Sequence, residues 1–431
     1  MLLAAGVLAA SVACNDFLKV SNPGAIEEPD INNPAYAGLL VNGVIGEFQP
    51  AFTSDDMYAA VFTDELASFH GFPENIDIDN RNIALNNGTY ALGVYTPLQS
   101  ARFMADSVAG LLRSFYGQAA ESDGRLARVL AYAGYSYTLL GEQMCSAPIG
   151  MSQAYTPEEL LAFALDRFKQ AITVATAAKA APNATVNAIA SADSLLNLAR
   201  VGAARVSLDL GNKTDAVNYA QAVPAGFGFF VYHAAANARE VNPFFSAASG
   251  GGSAEWVAIT NTPFETVTGD PRVPHLATKE KMQQDSAVAP NSPLAFSTYS
   301  GTATGADFTR EASVRFASGL EAQYIVAEAQ GNNSTNLNFL NTRRAIGGAT
   351  PLVAPTEAEF QAALREQRAR DLYLANYRLG DLRRYKKLYG VDLFQHGAYK
   401  SPVAAPATFG DQECFPIPLA EYNGNPNLPR P

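Results

Sequence analysis

The sequence is poor in the residues that carry most enzymatic and metal chemistry. Its 431 residues include four histidines, three cysteines and one tryptophan. The histidines show no metal-ligand spacing, and no glycine-rich phosphate loop is present, so we expect no metal or other cofactor and find no specific catalytic motif. A catalytic pair among the 41 Asp and Glu residues remains open, because sequence alone does not show which carboxylates meet.

Positive charge and long apolar runs are also scarce. The formal net charge is -11 and the pI is about 4.9, a balance that would repel a phosphate backbone, so nucleic acid is not an expected partner. Beyond the first residues, no stretch approaches the roughly 20 apolar residues of a membrane-spanning helix. Hydrophobic residues make up 48%, with 33 Gly and 25 Pro, which is typical of a globular protein with long loops.

The first residues have the pattern of an export signal. In "MLLAAGVLAASVACND" an apolar run ends in small residues directly ahead of Cys14, which predicts removal of residues 1–13. A cysteine after "SVA" is also where a bacterial lipoprotein signal is cut and acylated, so we predict that Cys14 carries the only membrane anchor. A plain cleaved signal peptide is the alternative. Residues 14–33, rich in Pro, Asn and acidic residues, are predicted to form a tether and lead-in.

If Cys14 is lipidated, two cysteines remain. An exported protein meets an oxidising compartment, where Cys145 and Cys414 can pair. Such a bond would close a long loop and stabilise the fold by constraining the unfolded chain. The alternative is that both are separate, small buried residues.

From residue 34 to 226 the apolar pattern is helical. In "TPEELLAFALDRFKQAITVA" the spacing of Thr156 and Glu159 predicts a capping box, with Pro157 in the first turn. The stretches "LARVLAYAGYSYTLLG", "LARVGAARVSLDLG" and "EAQYIVAEAQG" share small residues at helical spacing, which predicts close helix contacts. This layout favours a mainly α fold of tetratricopeptide-like helical pairs. Each stretch ends in a glycine expected to cap its helix: Gly141, Gly211 and Gly331.

Irregular segments alternate with these helices. Residues 227–310 are dense in Gly, Ser, Thr, Pro and aromatics, and loops of this length inside a compact domain are usually functional. A helical pattern resumes over 311–390, and 391–431 is predicted to be extended and proline-rich. We interpret 34–431 as one domain. The stretch "DIDNRN" at 77–82 lacks the glycine of a calcium loop and is interpreted as a solvated turn.

The stretch "REQRARDLYLANYRLGDLRRYKK", residues 365–387, concentrates eight Lys and Arg in an acidic protein. A helix beginning near Thr356 places Arg368 on an apolar face, and a second helix places Asp381 between the arginines three residues before and after it. Asn376 suits a left-handed turn between the two helices. We therefore predict a structural ion network of Arg368, Asp371, Arg378, Asp381 and Arg384. The cations expected to face solvent are Arg383, Lys386 and Lys387.

These residues resemble the late signature of the SusD/RagB-like family of outer-membrane nutrient-binding lipoproteins. That signature is an acidic-Arg pair, an acidic-Leu pair, a Glu-Gly turn, then Arg, Asp-Leu and Arg. The corresponding residues here are Gln367-Arg368, Asp371-Leu372, Ala375-Asn376, Arg378, Asp381-Leu382 and Arg384. Gln367 and Ala375-Asn376 depart from the pattern, so two carboxylates are lost and the ion network is expected to be thinner. Pieces such as "CNDFLKVSNPG", "DPRVPHL", "LNTRRAIGG" and "CFPIPLAEYNGNPN" agree with the family in order along nearly the whole chain.

The resemblance implies four tetratricopeptide-like helix pairs that support an irregular, loop-rich ligand-binding region. It also implies a surface-exposed outer-membrane lipoprotein, without enzymatic activity, that passes an oligosaccharide or a peptide to a TonB-dependent SusC-like transporter. Two alternatives remain open. One is a secreted glycoside hydrolase anchored by Cys14, and the other is a structural helical-repeat adaptor without a ligand.

Ligand contacts are expected from aromatic residues on loops, because sugar rings present an apolar face that stacks on aromatic rings. A single tryptophan makes a long aromatic platform less expected, so a short oligosaccharide, a peptide or another small nutrient remains open. The candidate contacts are Trp256, Phe244, Phe245 and Tyr299 in the central region, with Phe72 and Tyr90 in the early loop region.

Overall fold

The computed structural model of the protein describes residues 31–68, 72–249, 257–273, 310–399 and 408–431. The helices of these residues are α1 (Ala37–Phe62), α2 (Pro73–Asp79), α3 (Gly88–Tyr90), α4 (Thr96–Tyr116), α5 (Gly124–Gln143), α6 (Pro157–Lys179), α7 (Val186–Asp209), α8 (Lys213–Gln221), α9 (Pro243–Ser249), α10 (Gly319–Gln330), α11 (Ser334–Ile346), α12 (Glu357–Asp371), α13 (Arg378–Tyr389) and α14 (Leu419–Gly424). The strands are β1 (Ala67–Ser68), β2 (Ala147–Pro148), β3 (Ala154–Tyr155), β4 (Gly228–Val231), β5 (Val257–Ala258) and β6 (Val314–Ser318). The expected mainly α fold is confirmed.

The long helices form a continuous series of packed neighbours. Helix α1 packs on α4, α4 on α5, α5 on α6, α6 on α7, α7 on α8, and α8 on α10. Such a series of neighbouring helices is how tetratricopeptide-like helical pairs bury their apolar faces. Helix α5 lies inside the series, and nearly all of its residues are buried, which accounts for the small and aromatic residues of "LARVLAYAGYSYTLLG".

Two glycines let α6 insert a ring between its neighbours. A Cβ atom on Gly134 of α5 would lie 2.6 Å from the ring of Phe168, and one on Gly202 of α7 would lie 2.3 Å from it. Both distances are far below ordinary contact, so the ring occupies the space that two side chains would otherwise fill. The small residues of the repeated stretches therefore allow the close helix contacts that their pattern predicts.

The predicted helix ends are correct in part. The capping box of Thr156 and Glu159 is present at the start of α6, as is a matching box of Thr356 and Glu359 at the start of α12. Gly211 and Gly331 follow their helices with φ of 80° and 72°. Gly141 does not end α5, which continues to Gln143. It is small for another reason, since a Cβ there would lie 2.8 Å from the side chain of Leu161.

Short strand pairs connect the irregular segments to the helical body. Strand β4 pairs antiparallel with β6, and β1 pairs antiparallel with β5, with Ala67 opposite Ala258. The short helices α9 and α14 lie within the central region and the C-terminal region, which the sequence pattern leaves without helix. Within the described residues, none of the helices combines the length and apolar character required to cross a bilayer.

The C-terminal region is attached to the end of α5. A disulfide joins Cys145 to Cys414 with a sequence separation of 269. Around it, the Phe415 N–H donates to the Gln143 carbonyl at 2.8 Å, and the Cys145 N–H donates to the Phe415 carbonyl at 2.9 Å. Cys145 and Cys414, the two cysteines other than Cys14, therefore pair with each other.

Candidate ligand-binding site

Three irregular segments meet at one place in the fold. Strand β1, in the early loop region between α1 and α4, pairs with β5, in the central region of residues 227–310. The C-terminal region, residues 391–431, reaches the same place. The Tyr399 hydroxyl donates to the Asp79 carboxyl at 2.7 Å, and the Gly410 N–H donates to the Asn80 carbonyl at 2.6 Å. A Cβ on Gly410 would lie 2.3 Å from the Arg81 carbonyl oxygen, so only glycine permits this approach.

The three segments enclose a cavity of about 260 Å³, the candidate site. Its wall carries several groups that can hydrogen-bond to hydroxyls or amides, together with the ring of Phe409, which meets the ring of Tyr399 edge-on at 5.1 Å. The polar side chains of the wall are those of Asp79, Asn261, Thr262, Gln395, His396 and Tyr399. A few polar groups converging beside an aromatic ring are typical of small-molecule sites.

Asp79 is the buried carboxyl of this cavity. It lies at the end of α2, is 4% exposed, and accepts hydrogen bonds from the Ser68 N–H and the Tyr399 hydroxyl, both at 2.7 Å. Burial raises the pKa of Asp79 to about 7, although both hydrogen bonds act in the opposite direction. Near neutral pH this group therefore changes between a carboxylic acid, which can donate a hydrogen bond, and a carboxylate, which only accepts.

Arg81 holds the C-terminal region against the cavity wall. It has a φ of 60°, is 1% exposed, and donates to the carbonyls of Gln412, at 3.0 Å, and Gln395. Its guanidinium lies 5.1 Å from the ring centroid of Phe394 and 5.7 Å from that of Phe409. The interpretation of residues 77–82 as a solvated turn is wrong, because distant C-terminal residues cover Asp79, Asn80 and Arg81.

The aromatic residues expected to contact a ligand have different environments. Tyr90 is fully buried, stacks on Phe415 at 5.4 Å and 4°, and donates to the Pro416 carbonyl. Phe244 is also fully buried in the core. These two expectations are wrong, since neither ring has a face left for a ligand.

The other aromatic candidates stay predictions. Phe72 is 59% exposed at the start of α2, the helix that ends in Asp79. Phe245 is half-buried, with the Arg310 guanidinium 5.4 Å from its ring centroid. Trp256 and Tyr299 lie outside the described residues. The cavity residues that the sequence pattern missed, Asp79, Tyr399 and Phe409, carry no local signal of a site.

The predicted ion network is buried and larger than expected. Asp381 accepts from Arg368 Nε and Arg384 Nη2, both at 2.7 Å. Arg384 also binds Glu328 at 2.9 Å and Asp209 at 2.8 Å. Burial alone would raise the pKa of Asp381, but the two guanidiniums outweigh it and lower the pKa to about 2. The network thus joins α12 and α13 to α7 and α10.

Arg378 and Asp371 have partners from other parts of the chain. Arg378 forms a bidentate pair with Asp64, with both distances 2.6 Å, so it does not flank Asp381 as expected. Asp371 pairs with Arg343 and lies 3.4 Å from Arg272. Local spacing finds neighbours on one helix, whereas these partners come from residues far away in sequence.

The expectation of solvent-facing charge is wrong for Arg383. Its guanidinium donates to the carbonyls of Gly141, Glu142 and Met144. These include carbonyl groups of the last turn of α5, which lack a partner within that helix. Arg383 therefore caps α5.

Asn376 stands at the glycine position of the Glu-Gly turn, and its side chain makes hydrogen bonds that a glycine could not make. Its φ is 62°, its side-chain amide donates to Asp55 at 2.8 Å, and its backbone N–H donates to Asp56 at 2.7 Å. The side chain of Gln143 donates to its amide oxygen at 2.8 Å. Burial raises the pKa of Asp55 to about 7. Two carboxyl groups of α1 thus surround the turn, where a thinner network was expected.

Comparisons with known proteins identify the fold. No protein-family model matches the sequence, and no curated protein matches it. A SusD superfamily protein from Bacteroides fragilis has a TM-score of 0.65 at 13% identity, covering 92% of this chain and 99% of that one. A SusD-like carbohydrate binding protein from Bacteroides vulgatus has a TM-score of 0.65 at 14% identity, covering 91% and 97%. A SusD/RagB family protein from Bacteroides thetaiotaomicron has a TM-score of 0.59 at 13% identity, covering 91% and 94%. The chain therefore has the fold of the SusD superfamily.

Proposed function

We propose that this protein is a member of the SusD/RagB-like family that binds an oligosaccharide at the candidate site. In this proposal it is a surface-exposed lipoprotein of the outer membrane that delivers its ligand to a TonB-dependent SusC-like transporter. It binds its ligand without chemical turnover. A short peptide is the second class of ligand that the same site would accept.

The observation that carries the proposal is the cavity at the meeting point of three irregular segments. Its wall offers a carboxyl, a phenol and amide groups within one cavity of about 260 Å³. Sugar hydroxyls need donors and acceptors of these kinds, and the apolar face of a sugar ring needs an aromatic partner such as Phe409. The fold adds support, because one of the structures that share it is described as a SusD-like carbohydrate binding protein.

The lining of the cavity favours binding over hydrolysis. Glycoside hydrolysis needs two carboxyl groups on opposite sides of the scissile bond. Among the described residues that line the cavity, Asp79 is the only carboxyl. The alternative of an anchored hydrolase therefore has less support at this site.

A matched pair of variants tests the site. Asp79→Asn removes the ionisable group from the cavity but retains its shape, and Asp77→Asn makes the same change two residues earlier on the half-exposed side of α2. Oligosaccharides that bind in a glycan-array screen are titrated calorimetrically into the wild type and both variants. We expect affinity to fall at least about tenfold for Asp79→Asn, from a lost charge-assisted hydrogen bond, and to stay unchanged for Asp77→Asn. Equal affinities of all three proteins would contradict the proposed site.

Two further experiments test the anchor and the transporter. Cys14→Ser should move the protein from the membrane fraction to the soluble fraction, because acyl chains supply the membrane affinity. Affinity purification of the full-length, lipidated protein should recover a TonB-dependent barrel transporter. Release of sugar products from a bound glycan would refute the proposal that the protein is a binder without turnover.

A further inference from the structure

A second cavity, of about 370 Å³, borders the same three segments. Its wall includes Asp64, Phe264 and Leu393, each within two residues of a member of the candidate site's wall, yet the two walls share no residue. Helix α12 closes the second cavity with Ala362 and Arg365. The cavity is therefore a separate space beside the candidate site, large enough for a small organic molecule.

Two of the three guanidiniums in this cavity are already neutralised. Arg378 is paired with Asp64 through two contacts of 2.6 Å. Arg370 is paired with Glu366 and lies 3.3 Å from Asp270. Asp64 and Glu366 are the two carboxylates of the described wall, so the third guanidinium has no carboxylate partner there.

That third guanidinium belongs to Arg365. It lies 5.5 Å from the ring centroid of Tyr385 and is half-buried, but it forms no hydrogen bond or ion pair with another described residue. The guanidinium thus lies over the Tyr385 ring, while its N–H donors have no partner among the described residues. A guanidinium with available donors matches the geometry of a carboxylate, which accepts two parallel hydrogen bonds.

The remaining wall is largely apolar. Phe264 is 4% exposed, and it lines the cavity together with Val267, Ala369, Val391 and Leu393. Such a wall gains free energy by covering the apolar body of a ligand, whereas a lone inorganic anion would leave it unfilled.

We propose that this cavity is a carboxylate-binding site, in which Arg365 binds the carboxylate of a small organic acid and the wall around Phe264 covers its body. The shared chemistry fits an aromatic or aliphatic acid and also the uronic acid unit of a sugar. The site stands independently of the proposed oligosaccharide function, because no residue of the candidate site takes part.

Ligand-observed NMR titrations of the purified protein test this site with benzoate, glucuronate and the uncharged benzyl alcohol. We expect saturable binding of at least one carboxylate, and weakening of about tenfold or more in Arg365→Gln, since a charge-assisted pair is lost. Lys169→Gln removes one positive charge from the exposed face of α6 and should leave binding unchanged. Tighter benzoate binding would identify an apolar acid, and tighter glucuronate binding a sugar acid.

A second variant keeps the test independent of any folding defect in Arg365→Gln. Ala362→Phe retains every charge and fills the cavity from an exposed position on α12, so it should also weaken carboxylate binding by about tenfold or more, from lost access to the apolar wall. Thermal melting of each variant confirms the folded state. The proposal is overturned if neither carboxylate binds saturably, if Arg365→Gln binds as well as the wild type, or if benzyl alcohol binds as tightly as benzoate.

Discussion

Replacing Asp381 by alanine is the sharpest test of the buried ion network. Asp381 accepts charge-assisted hydrogen bonds from Arg368 and Arg384, both at 2.7 Å, and is 3% exposed. Arg384 keeps Glu328 and Asp209 as partners in the variant. Arg368, which is 1% exposed, loses the one carboxylate to which the described structure joins it.

The size of the effect follows from two independent considerations. The pKa of Asp381 falls from 3.8 to about 2, and a difference of nearly two pKa units corresponds to roughly 2–3 kcal/mol. Breaking a buried pair while leaving the partner charged costs about 3–5 kcal/mol. The second value is larger because it includes the unpaired guanidinium, so we expect Asp381→Ala to lower the free energy of unfolding by roughly 3–5 kcal/mol.

Urea denaturation followed by circular dichroism measures this change. Asp411→Ala removes an exposed carboxylate and should change the free energy of unfolding by less than about 0.5 kcal/mol. Adding Arg368→Met to Asp381→Ala should recover part of the loss, because the orphaned charge is removed. Ligand affinity of the folded protein should not change. A loss below about 1 kcal/mol, or lost binding with unchanged stability, would refute a structural role for this network.

The same pair predicts a pH dependence. A carboxyl group with a lowered pKa in the folded state stabilises the protein above its unfolded pKa, here 3.8, and this contribution disappears as the pH falls through about 2. The wild type should therefore lose roughly 2–3 kcal/mol of its advantage over Asp381→Ala as the pH falls from about 4 through about 2. A constant difference across that range would contradict the lowered pKa.

Four further variants, one of them a control, test other parts of the fold by urea denaturation. Asn376→Gly retains the left-handed turn but loses the side-chain hydrogen bonds, so it should cost roughly 1–3 kcal/mol, and an unchanged midpoint would contradict that role. Gly202→Ala should cost roughly 1–3 kcal/mol by forcing its Cβ against the ring of Phe168, whereas Gly110→Ala, with no neighbouring atom within 4 Å, should gain about 0.5–1 kcal/mol. Cys145→Ser should cost roughly 3–5 kcal/mol, because the disulfide closes a loop spanning 269 positions, and reductant should destabilise the wild type equally.

Local signals in the sequence predict local structure well. The capping box at Thr156 is predicted from two residues three positions apart and is present, and the helix predicted to begin near Thr356 does begin there. The left-handed conformation of Asn376 follows from the short polar side chain of one residue. The mainly α fold follows from helical periodicity of the same short range.

The candidate site follows from contacts that no local pattern contains. Asp79 and Tyr399 are 320 positions apart, yet they share a hydrogen bond. The prediction of a solvated turn at 77–82 failed for this reason, because the residues that cover the turn come from the C-terminal region. The wrong partner for Arg378 has the same cause, since Asp64 lies 314 positions away. Aromatic identity alone also does not separate Tyr90, a core residue, from a ligand contact.

The attachment of residues 408–431 to the early loop region bears on the order in which parts of the protein fold. The helices up to α8 contact mainly their neighbours in sequence, so they can assemble while later residues are still emerging. The wall of the candidate site is completed later, because Phe409 follows Asp79 by 330 positions in the sequence. A chain that stops before Phe409 would lack part of the cavity wall, and it would also lose the Cys145–Cys414 disulfide and the Phe415 ring that stacks on Tyr90. Ligand binding thus reports that Phe409 has reached Asp79 across that distance, and it serves as a test of correct tertiary assembly.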